Sequence, residues 1–327
     1  MRQNICRVIV DAARKIPDDI TVEQVKEVEI DIPHITEIAN NLAEYLSDDD
    51  LIVPFTRLGL FYQNQGFYQS AKPWYKKCLN ITKSRFGNIH PDVATSINNL
   101  ANVYKYQGKY TKAKPLCEKA LEIRKQLFGS SHPDIAESLD NLATFCNTEG
   151  LYIKTEALYK EALKIRQDFF GPSHSSVATT LHNLARFYKN QERYREAETL
   201  YKEALKIRQD LFGSLHPSLA ESINDLGVFY SRQGKHKEAE TLYRKALEIR
   251  KKLRGSLHPD IAESIGNLAV RYKDKGQYKE AEILYKEALE MRKEIFGSSH
   301  PDIAQSLNAL AVFYKDKGQY KEAEILY

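Results

Sequence analysis

Residues 131–145 read SHPDIAESLDNLATF, and near-copies of this stretch recur along most of the 327-residue chain. Its opening pair recurs as His90-Pro91, His132-Pro133, His174-Ser175, His216-Pro217, His258-Pro259 and His300-Pro301, each histidine 42 positions after the last. Self-similarity at a fixed period of about 20 to 50 residues marks a solenoid or a propeller, in which each unit packs on its neighbours. The period divides the chain into blocks 49–90, 91–132, 133–174, 175–216, 217–258 and 259–300, with an incomplete block 301–327. A single repeat body is therefore expected in place of the two domains that length alone suggests.

Inside each block the apolar spacing is helical. In the second block Ile97, Leu100, Ala101 and Tyr104 stand at i, i+3, i+4 and i+7, the stripe of an amphipathic helix, here helix A. Gly108 interrupts the pattern; Ala113, Cys117, Ala120 and Leu121 then start a second stripe, helix B, that runs to Phe128-Gly129. Proline suits a first helical turn, the residue before it is pushed out of the helical region, and Asp134, Asp260 and Asp302 favour the positive helix start. The repeated histidine is thus a cap or turn residue. Gly129, Gly171, Gly213, Gly255 and Gly297 fall where helix B ends, as a left-handed stop requires. Pro73 and Pro115 lie inside helix B and are expected to bend it without ending it.

Residues 1–48 lie outside the period. The pattern predicts one helix over 5–16 stopped by Pro17-Asp18-Asp19, a second over 21–30, and a third from Pro33 with Ile35, Ile38, Leu42, Ala43 and Leu46 on one face. That face is expected to cap the array, and no heptad pattern supports a coiled coil.

Lys+Arg 48 against Asp+Glu 44 gives a net charge of +4, too small and too interspersed to argue for nucleic acid. Cys6, Cys78, Cys117 and Cys146 have no metal or redox spacing and read as buried thiols of a reducing compartment. The amino terminus fits neither a signal peptide nor a membrane anchor, and no run reaches the roughly 18 apolar residues of a spanning helix. A cytoplasmic protein without membrane contact is expected.

The helix-A sequence of a large apolar residue, Leu, Ala or Gly and Tyr, followed in helix B by Ala, Tyr and Ala, is Ile223, Leu226, Gly227, Tyr230, Ala239, Tyr243 and Ala246 in the fifth block. This unit resembles the tetratricopeptide repeat. The common unit has about 34 residues; the 42-residue form with HPDIAxSxNNLA and YKEALxIRKxxFG is similar to the repeats of kinesin light chains and their bacterial relatives, over residues 49–327. The resemblance implies an all-α, right-handed superhelical solenoid of helix-turn-helix repeats that binds proteins and catalyses nothing. Kinesin light chains attach to their motor through an amino-terminal coiled coil, which this chain does not show. LIVPFTRLGLFYQNQGFYQSAKPWY, residues 51–75, instead resembles the start of the sensor array in bacterial signalling ATPases. No G-x-x-x-x-G-K-[ST] loop is present, so on that reading the chain is a repeat arm of a larger protein.

Catalysis finds no foothold in the sequence. Histidines that recur once per unit stand about a helix diameter, ~10 Å, apart, whereas metal ligands converge on one ion. No G-x-S-x-G elbow is present, and neither a metal nor a cofactor is expected.

Binding has a stronger physical basis. At about 100° per residue, Thr95, Asn99, Asn102 and Tyr106 face away from the core stripe of helix A. The Asn99 position reads Arg57, Asn99, Asn141, Asn183, Asp225, Asn267 and Ala309 along the array. Asn is a poor helix-interior residue, and its amide offers both donors and an acceptor to the backbone of an extended peptide. In the resembling family the groove-lining Asn occupies this matching place. The alternative is that these amides bond one another or water and set the curvature of the stack.

A basic ladder runs beside it. Arg124, Arg166, Arg208, Arg250 and Arg292 recur near the end of helix B, three helical turns beyond the small residues Ala113, Thr155, Ala197, Ala239 and Ala281. Each is placed to grip a ligand carboxylate in two-pronged fashion, or to neutralise the helix end and pair with the next helix start. Lys105, Arg186 and Lys189 add positive charge at the groove edge, while Glu137, Glu221, Glu263, Asp225, Asp274 and Asp316 make the whole mixed. An extended or helical peptide of acidic or amphipathic character fits better than nucleic acid, which needs a continuous positive track with stacking aromatics. The tyrosines 104, 188, 230, 272 and 314 belong to the core by their phase. A second reading makes the array a sensor arm or oligomerisation scaffold, with end-to-end self-association through the apolar Ile325-Leu326-Tyr327 end, which has no polar capping helix.

Overall fold

The computed structural model describes residues 2–17, 22–255, 257–296 and 301–326. Among these residues every regular element is helical apart from turns and short connections, and no strand occurs, an all-α repeat fold. Three short helices come first: α1 Arg2–Arg14, α2 Val22–Glu29 and α3 Ile32–Glu37. Paired helices follow, α4 Val53–Asn64 with α5 Tyr68–Phe86, α6 Pro91–Tyr106 with α7 Tyr110–Phe128 and α8 Pro133–Thr148 with α9 Tyr152–Phe170, and after them come α10 Ser175–Asn190 and α11 Tyr194–Phe212 in succession. The remaining helices pair α12 Pro217–Arg232 with α13 His236–Arg254, α14 Pro259–Asp274 with α15 Tyr278–Phe296, and α16 Pro301–Asp316 with α17 Tyr320–Leu326. Even-numbered members are the A helices and odd-numbered members the B helices. The chain forms two compact units, one up to Phe187 and one from Tyr188.

Each unit is built by threading an A helix between two B helices. In the first unit, Leu100 of α6 packs with Ala71 and Tyr75 of α5 on one side, and Ala101 packs with Ala113, Cys117 and Phe145 on the other. In the second, Leu268 of α14 closes on Ala239 and Tyr243 of α13. Each such leucine contributes roughly 1.5–3 kcal/mol by burial. The small residue after the leucine is a steric requirement: a Cβ on Gly59 would lie 2.4 Å from the Tyr75 ring, and one on Gly227 would lie 2.8 Å from that of Tyr243.

The Phe-Gly…His-Pro punctuation acts as one device. The Nδ1 of His132 accepts the N–H of Asp134 at 3.2 Å, so the histidine is the N-cap of α8, and its ring stacks on Phe128 at 4.2 Å between centroids. His90, His174 and His216 repeat both contacts, with Phe86, Phe170 and Phe212 beneath them. His174 does so with Ser175 in place of the proline, so the imidazole cap forms without the proline ring. Gly129 ends α7 at φ 75° and ψ −151°, a positive-φ conformation open to glycine though not the left-handed helical one. Gly297 and His300 lie outside the described residues, as do Asp18, Asp19 and Thr21 near the first two helices. Pro73 and Pro115 sit inside α5 and α7, which run on through them.

The third amino-terminal helix is shorter than its apolar pattern suggests. α3 ends at Glu37, and the chain continues as a π turn, Ile38–Leu42, and 3-10 turns, Ala43–Tyr45 and Asp48–Asp50. Its apolar residues still go inward: Ile35, Ile38 and Leu46 are buried. Ile16, Ile35 and Ala39 pack against Phe55 and Leu58 of α4, so this region covers the first A helix. All four cysteines are buried and unpaired, and burial pushes the Cys78 and Cys117 thiols up to about 12. The core tyrosines divide. Tyr188 and Tyr314 are buried, whereas Tyr104, Tyr230 and Tyr272 are half-buried, the Tyr230 hydroxyl reaching Glu198 at 2.9 Å.

Candidate functional site

The A helices carry two adjacent polar columns, and sequence reasoning singled out only the outer one. One residue before the Asn99 column stand Asn98, Asp140, His182 and Asn224, all buried. Asn98 and Asn141 meet between α6 and α8, where the Asn141 Nδ2 donates to the Asn98 Oδ1 at 3.0 Å. The Asn98 amide then donates to Glu137 Oε1 at 2.9 Å. The second unit repeats this between α12 and α14, with Asn267 donating to Asn224 at 3.1 Å and Asn224 to Glu263 at 3.3 Å. Asn141 also accepts from Lys105 Nζ at 3.3 Å. Asn141 and Asn267 therefore bond inside the stack, the alternative that the sequence left open.

The outer column is not uniform, because its bonding depends on the inner residue one unit earlier. Asn99 follows Thr56, and Asn183 follows Asp140, which is already bound by Arg166 and Thr180. The side-chain amides of Asn99 and Asn183 are half-buried and make no hydrogen bond among the described residues. Asn102 joins them on α6 with a buried Oδ1 that accepts none. Arg57, at the head of the column, donates to the Ile16 carbonyl at 2.9 Å and so ties α4 to the amino-terminal helices. Asp225 is half-buried in α12.

The arginine ladder faces inward more deeply than its helical phase implied. Arg124, Arg166, Arg208 and Arg250 are each 2–7% exposed. Arg124 Nη1 donates to the Asp134 carbonyl and to Ser138 Oγ, both at 2.7 Å, while Nη2 reaches Glu137 at 3.0 Å. Arg250 makes the same set with Asp260, Ser264 and Glu263. Arg208 bonds Ser218 and Ser222, with Glu221 at 3.5 Å. Arg166 bonds Ser176, Thr180 and Asp140. These four guanidiniums staple the end of a B helix to the start of the next A helix, and their donors are directed into the fold and away from a ligand. A period-42 column of small hydroxyls, Ser96, Ser138, Thr180, Ser222, Ser264 and Ser306, was the signal for this role.

Positive charge on the first unit's A-helix face rests with Lys105 and Arg186. Burial holds the Lys105 ammonium below its ordinary value, and the nearby Arg186 lowers it further. Arg186 is exposed on α10. Lys189, by contrast, is buried. Asp140 is the acid of the inner column: burial pushes its carboxyl up to about 6, against the pull of Arg166 and Thr180. No group of three or more His, Cys, Asp or Glu side chains fit to hold a metal occurs among the described residues, and none of their helices is long and apolar enough to cross a membrane.

A repeating helical hairpin of 42 residues with this packing can be compared with known families. The tetratricopeptide repeat matches residues 50–126, 92–168, 134–210, 176–252, 218–294 and 260–327. The chain belongs to the tetratricopeptide repeat family. That fold is generally a non-catalytic interaction scaffold. Similar solved tetratricopeptide structures include BtubC (BKLC) from P. vanneervenii, 26% identical over 71% of this chain and 93% of that one, with a TM-score of 0.56. Another is a putative kinesin light chain from Podosopora anserina with nearly identical TPR-like repeats, 27% identical over 64% of this chain and 99% of that one, TM-score 0.50. NprR in complex with its cognate peptide NprX has a TM-score of 0.67 over 100% of this chain and 83% of that one; at 15% identity the likeness is one of fold. No curated protein matches the sequence.

Proposed function

We propose that this tetratricopeptide chain is a non-catalytic protein-interaction module whose A-helix face binds a peptide of acidic or amphipathic character. The observation that carries this reading is the pair of unengaged amides, Asn99 and Asn183, on a face that also holds a partly desolvated Lys105 and an exposed Arg186. An amide held half-buried by the packing of its helix, with its donors and acceptor unspent, gains by pairing with peptide N–H and C=O groups. The adjacent cations favour carboxylates and raise encounter rates. A peptide-bound relative of the same fold, NprR with NprX, supports the choice of ligand class. Residues 1–48 serve in this scheme as a helical cap on the array of 49–327.

The buried arginines and Asn141 hold the face in shape, so the test must spare them. Peptides selected from a phage library of random twelve-residue sequences are to be titrated against the wild type and the Asn99→Ala/Asn183→Ala variant. A loss of tenfold or more in affinity with unchanged helicity is expected. Equal affinity of the two proteins for every selected peptide would remove the basis of the proposal.

A further inference from the structure

The hydrogen-bonded pair that seals two successive A helices is missing at one joint of the second unit. Where Asn98 meets Asn141 and Asn224 meets Asn267, the joint between α14 and α16 has Gly266 and Ala309. Both side chains of the pair are deleted together, and a cavity of about 400 Å³ opens there. A Cβ placed on Gly266 would meet nothing within 4 Å. Glycine in the middle of a helix costs about 0.5–1 kcal/mol relative to alanine, so the space is held open against helix propensity.

The same joint lacks one more partner. Each ladder arginine that lies beneath a sealed joint has an acid for its guanidinium: Glu137 for Arg124 and Glu263 for Arg250. Arg292, in the cavity wall, has Gln305 at the equivalent sequence position. Its Nη1 donates to the Asp302 carbonyl at 3.2 Å and to Ser306 Oγ at 2.5 Å, and no carboxylate lies within ion-pair distance of it among the described residues. Its Nε is buried without a hydrogen bond, as are those of Arg124 and Arg250, so the difference at this arginine is the missing acid alone. Asn267, also in the wall, donates one amide hydrogen to Asn224, and its Oδ1 accepts no hydrogen bond among the described residues.

We infer that this cavity is an anchor pocket that takes one Asp or Glu side chain of a bound peptide, the ligand supplying Arg292 with the carboxylate that Gln305 does not. The inference rests on the peptide-binding reading above and adds, within the second unit alone, a subsite for an acidic side chain and the chemistry that recognises it. A carboxylate fits the planar donor array of a guanidinium better than a neutral group does, and the cavity volume suits a single side chain with a little backbone. Asn267 Oδ1 stands ready for a peptide N–H. The acids in the wall do not stand in for the ligand: Glu263 is held by Arg250 and Asn224, while Asp260 and Asp302 lie in the first turns of α14 and α16, which favour their charge.

The test uses twelve-residue peptides selected from a random phage library on the whole chain, with Gln305→Glu and Gly266→Asn as variants. Gln305→Glu installs the acid that already stands at Glu137, Glu221 and Glu263, and circular dichroism checks that it folds; Gly266→Asn refills the cavity independently and decides the matter if the first variant does not fold. The expected result is a shared Asp or Glu among the selected peptides, a loss of tenfold or more on changing it to Asn or Gln, and the same loss with either protein variant. Combining the peptide and protein changes should add nothing further. Selected peptides that share Lys or Arg instead, or that bind Gln305→Glu and Gly266→Asn as well as the wild type, overturn the pocket and leave the Asn99/Asn183 reading to stand on its own variant. Selection of no peptide at all sinks both.

Discussion

Asn141 donates its side-chain amide to Asn98 across the joint between α6 and α8, and that bond separates the asparagines that hold the stack from those that face outward. Asn98 is 1% exposed and serves Asn141 and Glu137 at once. Removing it leaves polar groups without partners in a desolvated place, at a cost of about 1–3 kcal/mol. Asn98→Ala should therefore lower the stability measured by urea unfolding by that amount, and Asn99→Ala, one residue on, should change it by no more than about 0.5 kcal/mol. Equal effects at the two positions would contradict the division.

Glu192 occupies the turn between α10 and α11 at φ 59°, where other repeats have glycines such as Gly108 and Gly150 at φ 69° and 75°. A side chain in the left-handed region costs roughly 1–2 kcal/mol. Glu192→Gly should raise stability by about 1 kcal/mol, measured by thermal or urea unfolding, and a decrease would mean that the glutamate's contacts outweigh its backbone cost.

Two helical glycines with opposite surroundings make a paired test of the packing. Gly59→Ala drives a methyl group into Tyr75 and should cost about 1–3 kcal/mol through overpacking. Gly266→Ala meets open space and should instead gain up to about 1 kcal/mol from helix propensity. Unfolding midpoints that move in the same direction would refute this account of the two sites.

Asp140 predicts a pH dependence with a definite sign. Its folded value, about 6, lies above the unfolded value near 4, so between these pH values the native state holds more protons than the unfolded chain. Stability from this group is then highest below about pH 4 and falls as pH rises through about 6. Against Asp140→Asn, which puts here the residue found at Asn98 and Asn224, the wild type should lose on the order of 2–3 kcal/mol across that window. A relative stability that rises over the same range would show that Arg166 holds the carboxylate ionised.

The fold was legible because its signals repeat. A histidine every 42 residues, an apolar stripe after it and a glycine at the close of each B helix appear often enough to cancel local noise, and together they specify an all-α repeat. The site was legible only in part. Helical phase placed Asn99 and Asn141 in one column, yet their roles differ because of the residue one repeat earlier, Thr56 in one case and Asn98 in the other. That is a contact between positions 43 apart, which a periodic reading averages away. The sequence leaves two roles open for the arginines, gripping a ligand carboxylate or tying a helix end to the next helix start, because a long side chain follows its partners more than its Cα direction; the bonds of Arg124 to Ser138 and of Arg250 to Ser264 belong to the second role. Ala309 is a lapse in the Asn99 column, but Gly266 belongs to the inner column, and only the fold brings the two to one joint.

The central claim is that ligand lies on the A-helix face, and a photo-crosslinker reads this directly. p-Benzoylphenylalanine placed at position 183, in the column of unengaged amides, should crosslink to a selected peptide under illumination, whereas the same group at position 160, exposed on α9, should not. Crosslinking from position 160 with none from position 183 would contradict the claim.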